Sequence, residues 1–482
     1  MWFRVSVLLL LFIVAHTYAG DKFNGVDVGK PVVFRLDDDN PKKTQQQAYN
    51  DLGDIPSYSA YLSVNKTTNS NLFFWYFPSS SLISSRPSMH SPEALTFQAD
   101  PKAPLLLWLQ GGPGGSSLFG LFNEHGPFSV DKNLTLVPRE YAWTKKYSML
   151  YIDNPVGTGF SYTDSEEGYV TNEAEVARDL YIGLSAFFKY FPEVAEVDFY
   201  ITGESYAGKY VPAITEKIHS MNANSVRKTM NLKGMAIGDG LCDPQNMLNY
   251  GDYLKYVGLF AKHYIGLISE KQRLYFMSKQ NKIRELIKTN QSMRAFREFD
   301  ELLNGDLVPY TSYFYNVTGS NYYFNYLQFE EPEDFSYYSK YVNKADVRKR
   351  LHVGNRPFND GKAVEKHLMG DVMNSVAHKV KTILDANYKV LFYSGQLDII
   401  VAYPLTLNFL KNLEWSGQAE YLNATRTIWR IDTQPKPTVA GYITEAKNLK
   451  VVLVRDAGHI VPYDQPMHAF DLISRFIEDK PF

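Results

Sequence analysis

Short apolar runs, each ended by Gly, Pro, Asn or Asp, alternate along this chain with stretches of helical periodicity. That alternation narrows the fold class more than any other feature. The runs cover residues 72–77, 104–109, 148–153, 198–202, 234–237, 390–393 and 451–454. Helical patterns lie beside them at 173–191, 206–219 and 371–384. Strands interleaved with helices predict an α/β domain with a mostly parallel central sheet and helices on both faces. Residues 20–55 read as polar and irregular, with Asp37-Asp38-Asp39-Asn40-Pro41 a turn rather than a metal loop. The stretch 243–345 is rich in charge and aromatics, has helical periodicity around 252–304, and shows no clear strand. It reads as a helical lid inserted into one domain spanning 20–482, since no Pro/Gly/Ser-rich linker separates it.

Bulk properties exclude several function classes. The 50 basic and 52 acidic residues leave a formal net charge of −2, which offers no basic footprint for nucleic acid. No basic amphipathic stretch marks a membrane surface. At the N-terminus, Arg4 precedes an apolar run from Val5 to Ala15, and Ala19 stands at a cleavage position. Residues 1–19 therefore read as a signal peptide. The run is well short of the ~20 residues a spanning helix needs, so no membrane anchor is expected. The destination is secreted or lysosomal. Five Asn-x-Ser/Thr sequons, at Asn65, Asn133, Asn290, Asn316 and Asn423, are candidate glycosylation sites. They fit secretion without proving it, because an Asn-rich chain carries roughly three or four by chance. The single cysteine, Cys242, rules out an internal disulfide and reads as a small buried hydrophobe.

The chemistry centres on Gly203-Glu204-Ser205-Tyr206-Ala207-Gly208, between a strand pattern and a helix pattern. The hydrolase elbow is G-x-S-x-G, and here Ala207 stands at the second glycine with Gly208 one residue late. A small residue there still permits the sharp turn that lifts a serine hydroxyl above the sheet. The same residues come one position short of a P-loop, but Tyr210 stands where magnesium needs Ser or Thr, and Glu204 would repel phosphate. A serine nucleophile needs a base, and the base an orienting acid, in the chain order Ser, acid, His for this fold. Asp398 follows the run 390–393 and His459 follows the run 451–454, so both sit just past the carboxyl end of a strand, as Ser205 does. Chemistry collects at that edge of parallel sheets. His90, His219, His263, His367, His378 and His468 meet no such requirement and read as surface or capped core residues. The loop Gln110-Gly111-Gly112-Pro113-Gly114-Gly115, after the run 104–109, is placed to supply an oxyanion hole.

With these residues assembled, the sequence resembles the serine carboxypeptidases, which have the α/β-hydrolase fold. The resemblance rests on Trp108-Leu-Gln-Gly-Gly-Pro-Gly-Gly-Ser-Ser117, Glu124-His-Gly-Pro127, Asp153-Asn-Pro-Val-Gly-Thr-Gly-Phe-Ser-Tyr162, Gly203-Glu-Ser-Tyr-Ala-Gly208 and Gly458-His-Ile-Val-Pro462. It runs from about Tyr58 to Phe476. Gln110 and Gly115, where most members have Asn and Cys, look like the vitellogenic carboxypeptidase-like branch, which includes venom carboxypeptidases. The resemblance implies Ser205 as nucleophile, His459 as base and Asp398 as its orienter. It also implies an oxyanion hole from the N–H groups of Gly112 and Tyr206, and a clamp for the substrate's terminal carboxylate made by Gln110, the Gly111 N–H, Glu124 and Glu204. Peptide C-termini are the implied substrate, with no cofactor and no metal.

Departures from the family pattern are the missing lid disulfides, Gln110 in the clamp, and Gln396 where many members have Asp. Acyl transfer and a non-catalytic binding role are the competing functions, and the intact clamp and triad positions weigh against both. Two glutamates around one carboxylate must keep a proton, so activity is expected to favour acidic pH. Turnover there then requires a His459 imidazole held below its usual ~6.5, which burial can supply.

Overall fold

Leu105–Leu109, Ser148–Ile152 and Phe199–Glu204 are buried along their whole length, which is why each reads as an unbroken apolar run rather than an alternation. They form the middle of one large sheet. The computed structural model describes residues 21–83, 96–226, 229–256, 266–307, 309–432 and 436–482. The segment read as a signal peptide, and with it His90 and His263, lies outside the described residues.

The sheet has twelve strands. In chain order they are β1 (Val33–Phe34), β2 (Tyr49–Asn50), β3 (Ser57–Asn65), β4 (Ser70–Phe77), β5 (Leu105–Leu109), β6 (Ser148–Ile152), β7 (Phe199–Glu204), β8 (Leu232–Gly238), β9 (Lys389–Gly395), β10 (Thr427–Ile431), β11 (Thr438–Ala446) and β12 (Leu449–Val454). Across the sheet the order is β10-β11-β12-β9-β8-β7-β5-β6-β4-β3-β1, with β2 paired to β3. The block β6, β5, β7, β8, β9, β12 is parallel throughout. Antiparallel strands extend it on both sides.

The period of two along each strand divides the interior into two cores. Leu105, Leu107 and Leu109 enter one, with Ile201 from β7. Leu106 and Trp108 enter the other, with Tyr200. The helices Glu173–Tyr190, Ala207–Ala223 and Ala377–Asp385 cover the first face through Leu180, Ile214 and Ile383. Pro466–Ile477 covers the second through Leu472 and Phe476.

Two sequence expectations need correction. The helical pattern at 371–384 becomes a helix only from Ala377, because Asp371 turns back to bind Lys209 and Asn374. Residues 20–55 are not wholly irregular. The turn expected over Asp37–Pro41 lies earlier, where the Asp38 N–H donates to the Arg35 carbonyl; Asn40 then caps a helix over Pro41–Gln47, and β1 and β2 join the sheet. Between 243 and 345 the described residues carry the helices Tyr250–Tyr256, Glu270–Lys288, Ser292–Leu302, Tyr313–Thr318 and Tyr337–Val342, and none of the twelve sheet strands. Phe276, Ile283 and Phe296 anchor this region to the first core. Among the described residues no helix is long and apolar enough to cross a membrane. Cys242 is buried, its thiol donating to the Gly208 carbonyl at 3.0 Å.

Candidate active site

Ser205, Asp398, His459 and the glycine loop lie beyond the carboxyl ends of parallel strands, and Glu204 closes one. Ser205 directly follows β7, with φ at +60°. A non-glycine residue there is strained and must be held by its surroundings. Its N–H donates to the Gly238 carbonyl at 2.9 Å, and its own carbonyl accepts from Gly208 and Leu241. The elbow's departure from the usual pattern also has a physical explanation. A Cβ at Gly203 would lie 2.5 Å from the Leu109 carbonyl oxygen, and one at Gly208 would lie 2.6 Å from the Leu241 nitrogen. Those two positions exclude side chains, whereas position 207 holds a methyl group in the core.

Asp398 and His459 meet above the ends of β9 and β12. His459 Nδ1 lies 3.0 Å from Asp398 Oδ2, and the two side chains are 1% and 0% exposed. Backbone N–H groups of Ile400 and Val401 donate to the same carboxylate. The ring of His459 stacks on Phe324 at 4.7 Å, and its backbone N–H donates to the Phe324 carbonyl. The region 243–345 thus supports the imidazole directly. Among the described residues Nε2 has no hydrogen-bond partner, and His459 lines the same cleft as Ser205. Burial alone lowers the His459 pKa. The charge and hydrogen bond of Asp398, with the charge of Glu204, outweigh it and leave the group above its usual 6.5. The expectation of an imidazole held below that value is therefore wrong: burial acts as foreseen, but two nearby carboxylates act more strongly.

The glycine loop presses on the elbow. A Cβ on Gly111 would sit 2.6 Å from the Tyr206 nitrogen and 2.7 Å from Ser205 Cβ, so only glycine permits the approach. Among the described residues the N–H groups of Gly112 and Tyr206 reach no protein acceptor. Gln110 is held at both ends: Trp108 Nε1 donates to its Oε1 at 2.9 Å, and its Nε2 donates to Glu204 Oε1 at 2.7 Å. The indole fixes which way the amide points. Glu124 comes from a π-helical turn, Gly120–His125, and like Glu204 is fully buried. Burial pushes both carboxyls up, and mutual repulsion adds to it at Glu124. His459 and Gln110 hold Glu204 to about 7, whereas Glu124 stands well above the ordinary carboxyl range.

Sequence reasoning gave no role to Asp239 and used Asp153 only as part of a motif. Asp239 directly follows β8, is buried, and lies beside Asp398 and His459. Its signal was the one used for Asp398, an acid at the end of an apolar run. Asp153 directly follows β6 and accepts from Ser116 Oγ and the N–H groups of Ser117 and Phe160, tying two loops together behind the glycine segment. Lys209, part of the near-miss P-loop, is buried and paired with Asp371 at 2.7 Å, facing no phosphate site. His219, His367 and His468 contact Tyr388, Glu166 and Trp429. Neither they nor His378 line the cleft. The cleft has a volume of about 380 Å³ and is lined by Gly112, Glu204, Ser205 and His459 together with Phe296, Tyr323 and Phe335. Asn133, Asn290, Asn316 and Asn423 are exposed and Asn65 is half-buried.

An elbow serine, a buried acid–imidazole pair and a glycine loop above a parallel sheet define an α/β-hydrolase. A family model described as serine carboxypeptidase matches residues 48–479, and the chain belongs to that family. The probable serine carboxypeptidase CPVL of Homo sapiens is 50% identical over 428 residues, 88% of this chain and 84% of that protein. The venom serine carboxypeptidase of Apis mellifera is 48% identical over 430 residues, 89% of this chain and 85% of that one. The vitellogenic carboxypeptidase of Aedes aegypti is 43% identical over 429 residues, 88% and 84% of the two chains. Among solved structures, a prohormone-processing carboxypeptidase from Saccharomyces cerevisiae has the same fold. Its TM-score is 0.73 at 22% identity, covering 90% of this chain and 95% of that one.

Proposed function

We propose that this serine carboxypeptidase releases single residues from peptide C-termini through a Ser205 acyl-enzyme. Ser205 Oγ attacks the scissile carbonyl while His459 Nε2 takes its proton, and Asp398 holds the ring through Nδ1. The N–H groups of Gly112 and Tyr206 receive the oxyanion. Collapse breaks the C–N bond, His459 returns the proton to the departing amine, and water then hydrolyses the ester by the same route. The observation that carries the exopeptidase reading is the Gln110–Glu204–Glu124 cluster buried beside Ser205. A neutral glutamic acid donates to a substrate carboxylate, whereas two ionised ones repel it. The region 243–345 is the lid over this cleft, residues 1–19 direct the chain to secretion or the lysosome, and the five sequons accept glycans.

The pH dependence follows from the same groups. Ionised Glu204 raises His459, so protonating Glu204 at lower pH removes one of the charges that keep the imidazole cationic. The charge and hydrogen bond of Asp398 still favour the cation, which puts the peptide optimum at mildly rather than strongly acidic pH. The test compares a blocked dipeptide acid with its amide across pH. Hydrolysis of the acid should fall at lower pH than that of the amide, and Glu124→Gln should move only the acid's alkaline limb. Coincident profiles in wild type would remove the clamp and favour an esterase or acyltransferase.

A further inference from the structure

Asp239 is fully buried at the end of β8 with φ at +41°. Its backbone N–H donates to the Tyr393 carbonyl at 2.8 Å, and its Oδ1 accepts the Gly395 N–H at 2.9 Å. Gly395 closes β9, the strand that leads into Asp398, so this carboxyl fixes where the catalytic acid's loop begins. One oxygen of Asp239, one of Asp398 and one ring nitrogen of His459 lie within 4.8 Å of one another.

The donors are unequally shared. Asp398 accepts from Ile400, Val401 and His459. No N–H or O–H among the described residues reaches Asp239 Oδ2. Two carboxyls in contact inside a protein cannot both be anions. The proton that relieves the repulsion therefore belongs on the oxygen no donor reaches, where it can be given to Asp398. We propose that Asp239 is a positioning residue that acts as a neutral acid, its Oδ2–H donating to the Asp398 carboxylate and holding it against His459.

The proposal rests on the triad reading above and extends it by one residue. Burial first, then the charge and hydrogen bond of Asp398, and then Glu204, push Asp239 well above the ordinary carboxyl range. The titratable groups facing it are Asp398, His459, Glu204, Tyr393 on β9 and Tyr253 from the helix Tyr250–Tyr256. Tyr253 steadies the same loop, its hydroxyl donating to the Asp398 carbonyl at 2.7 Å. When Asp239 ionises, Asp398 loses a donor and gains a neighbouring anion. Turnover should then fail at alkaline pH for every substrate, with or without a free carboxylate.

The experiment follows hydrolysis of a blocked dipeptide amide, which does not use the glutamate clamp, from about pH 5 to 9. Asparagine at 239 can keep both contacts, accepting from Gly395 through its oxygen and donating to Asp398 through its amide, without ever ionising. Asp239→Asn should match wild-type kcat at acidic pH and lose the alkaline fall. Asp239→Ala should lower kcat at all pH values by on the order of 100-fold, the cost of a misplaced catalytic group. An alkaline limb retained in Asp239→Asn, or an Asp239→Ala variant that folds and turns over normally, would overturn the proposal. Activity surviving in Ser205→Ala would instead overturn the triad beneath it, so the two failures can be told apart.

Discussion

Under the proposed mechanism Ser205, His459 and Asp398 each do a different part of the work, so each carries a different expectation. Ser205→Ala removes the nucleophile and should reduce kcat by about a millionfold, with His459→Ala similar. Asp398→Asn should cost about 10⁴-fold, because an amide that donates to Nδ1 stabilises the wrong imidazole tautomer. Purified variants with unchanged circular dichroism and melting temperature would separate these effects from misfolding, and near-normal hydrolysis by Ser205→Ala would end the assignment. These three positions were legible in the sequence because one positional rule selects them, a reactive side chain just past an apolar strand. Asp239 satisfies the same rule after the run 234–237. The rule alone therefore does not distinguish which of two buried acids orients the imidazole. The net direction of the His459 shift was not legible. It is a balance between burial, which one strand pattern suggests, and the approach of Asp398 and Glu204, which depends on how β12, β9, β8 and β7 lie side by side.

Strands buried on both faces announce themselves, and those half exposed do not. All seven apolar runs became strands of the large sheet, whereas β10 and β11, with exposed positions such as Thr427, Ile428, Arg430 and Glu445, carry too mixed a pattern to be read. The strand β3 hides differently. Its buried Ser57 and Ser59 look polar but are satisfied by Asn50. Packing between elements explains Lys209 as well. The helix that begins behind Ser205 points this ammonium into the protein, where Asp371 and its carbonyl receive it, so the turn at 371–376 and the elbow helix are fastened to each other. Lys209→Met should therefore leave the Asp371 carboxylate without its cation and destabilise the fold by about 3–5 kcal/mol. Urea unfolding checks this, and the fraction that remains folded should still hydrolyse peptides. A loss below about 1 kcal/mol, the range of a surface pair, would mean that the pair is solvated in solution.

The interior as a whole holds acids that stay protonated and histidines that stay neutral, and together they set how stability varies with pH. Burial pushes Asp153 up to about 7 and Glu173 up to about 8. Burial and neighbouring carboxyls lift Glu124 and Asp239 well above the ordinary range. Such an acid keeps a proton in the folded chain that the unfolded chain has already released, so stability falls as pH rises toward the folded value. His459, raised by its carboxylates, acts in the same direction. Burial lowers His125, His352, His378 and His468, and these act the other way: the unfolded chain binds protons there below about pH 6.5, so they weaken the fold as pH drops. The two sets oppose each other between about pH 4 and 6.5. Above that interval the lowered histidines are neutral in both states, and the acids act together with His459. Unfolding free energy should therefore decline from about pH 6.5 to 8.5, with each acid that remains protonated contributing about 1.4 kcal/mol per pH unit. Urea midpoints measured at half-unit intervals test this, and Glu173→Gln should flatten the slope below pH 8, where that residue still holds its proton. A midpoint that is constant or rises across the interval would mean that these carboxyls are ionised in the folded protein. In that case neither the clamp beside Ser205 nor the neutral acid beside Asp398 could work as described.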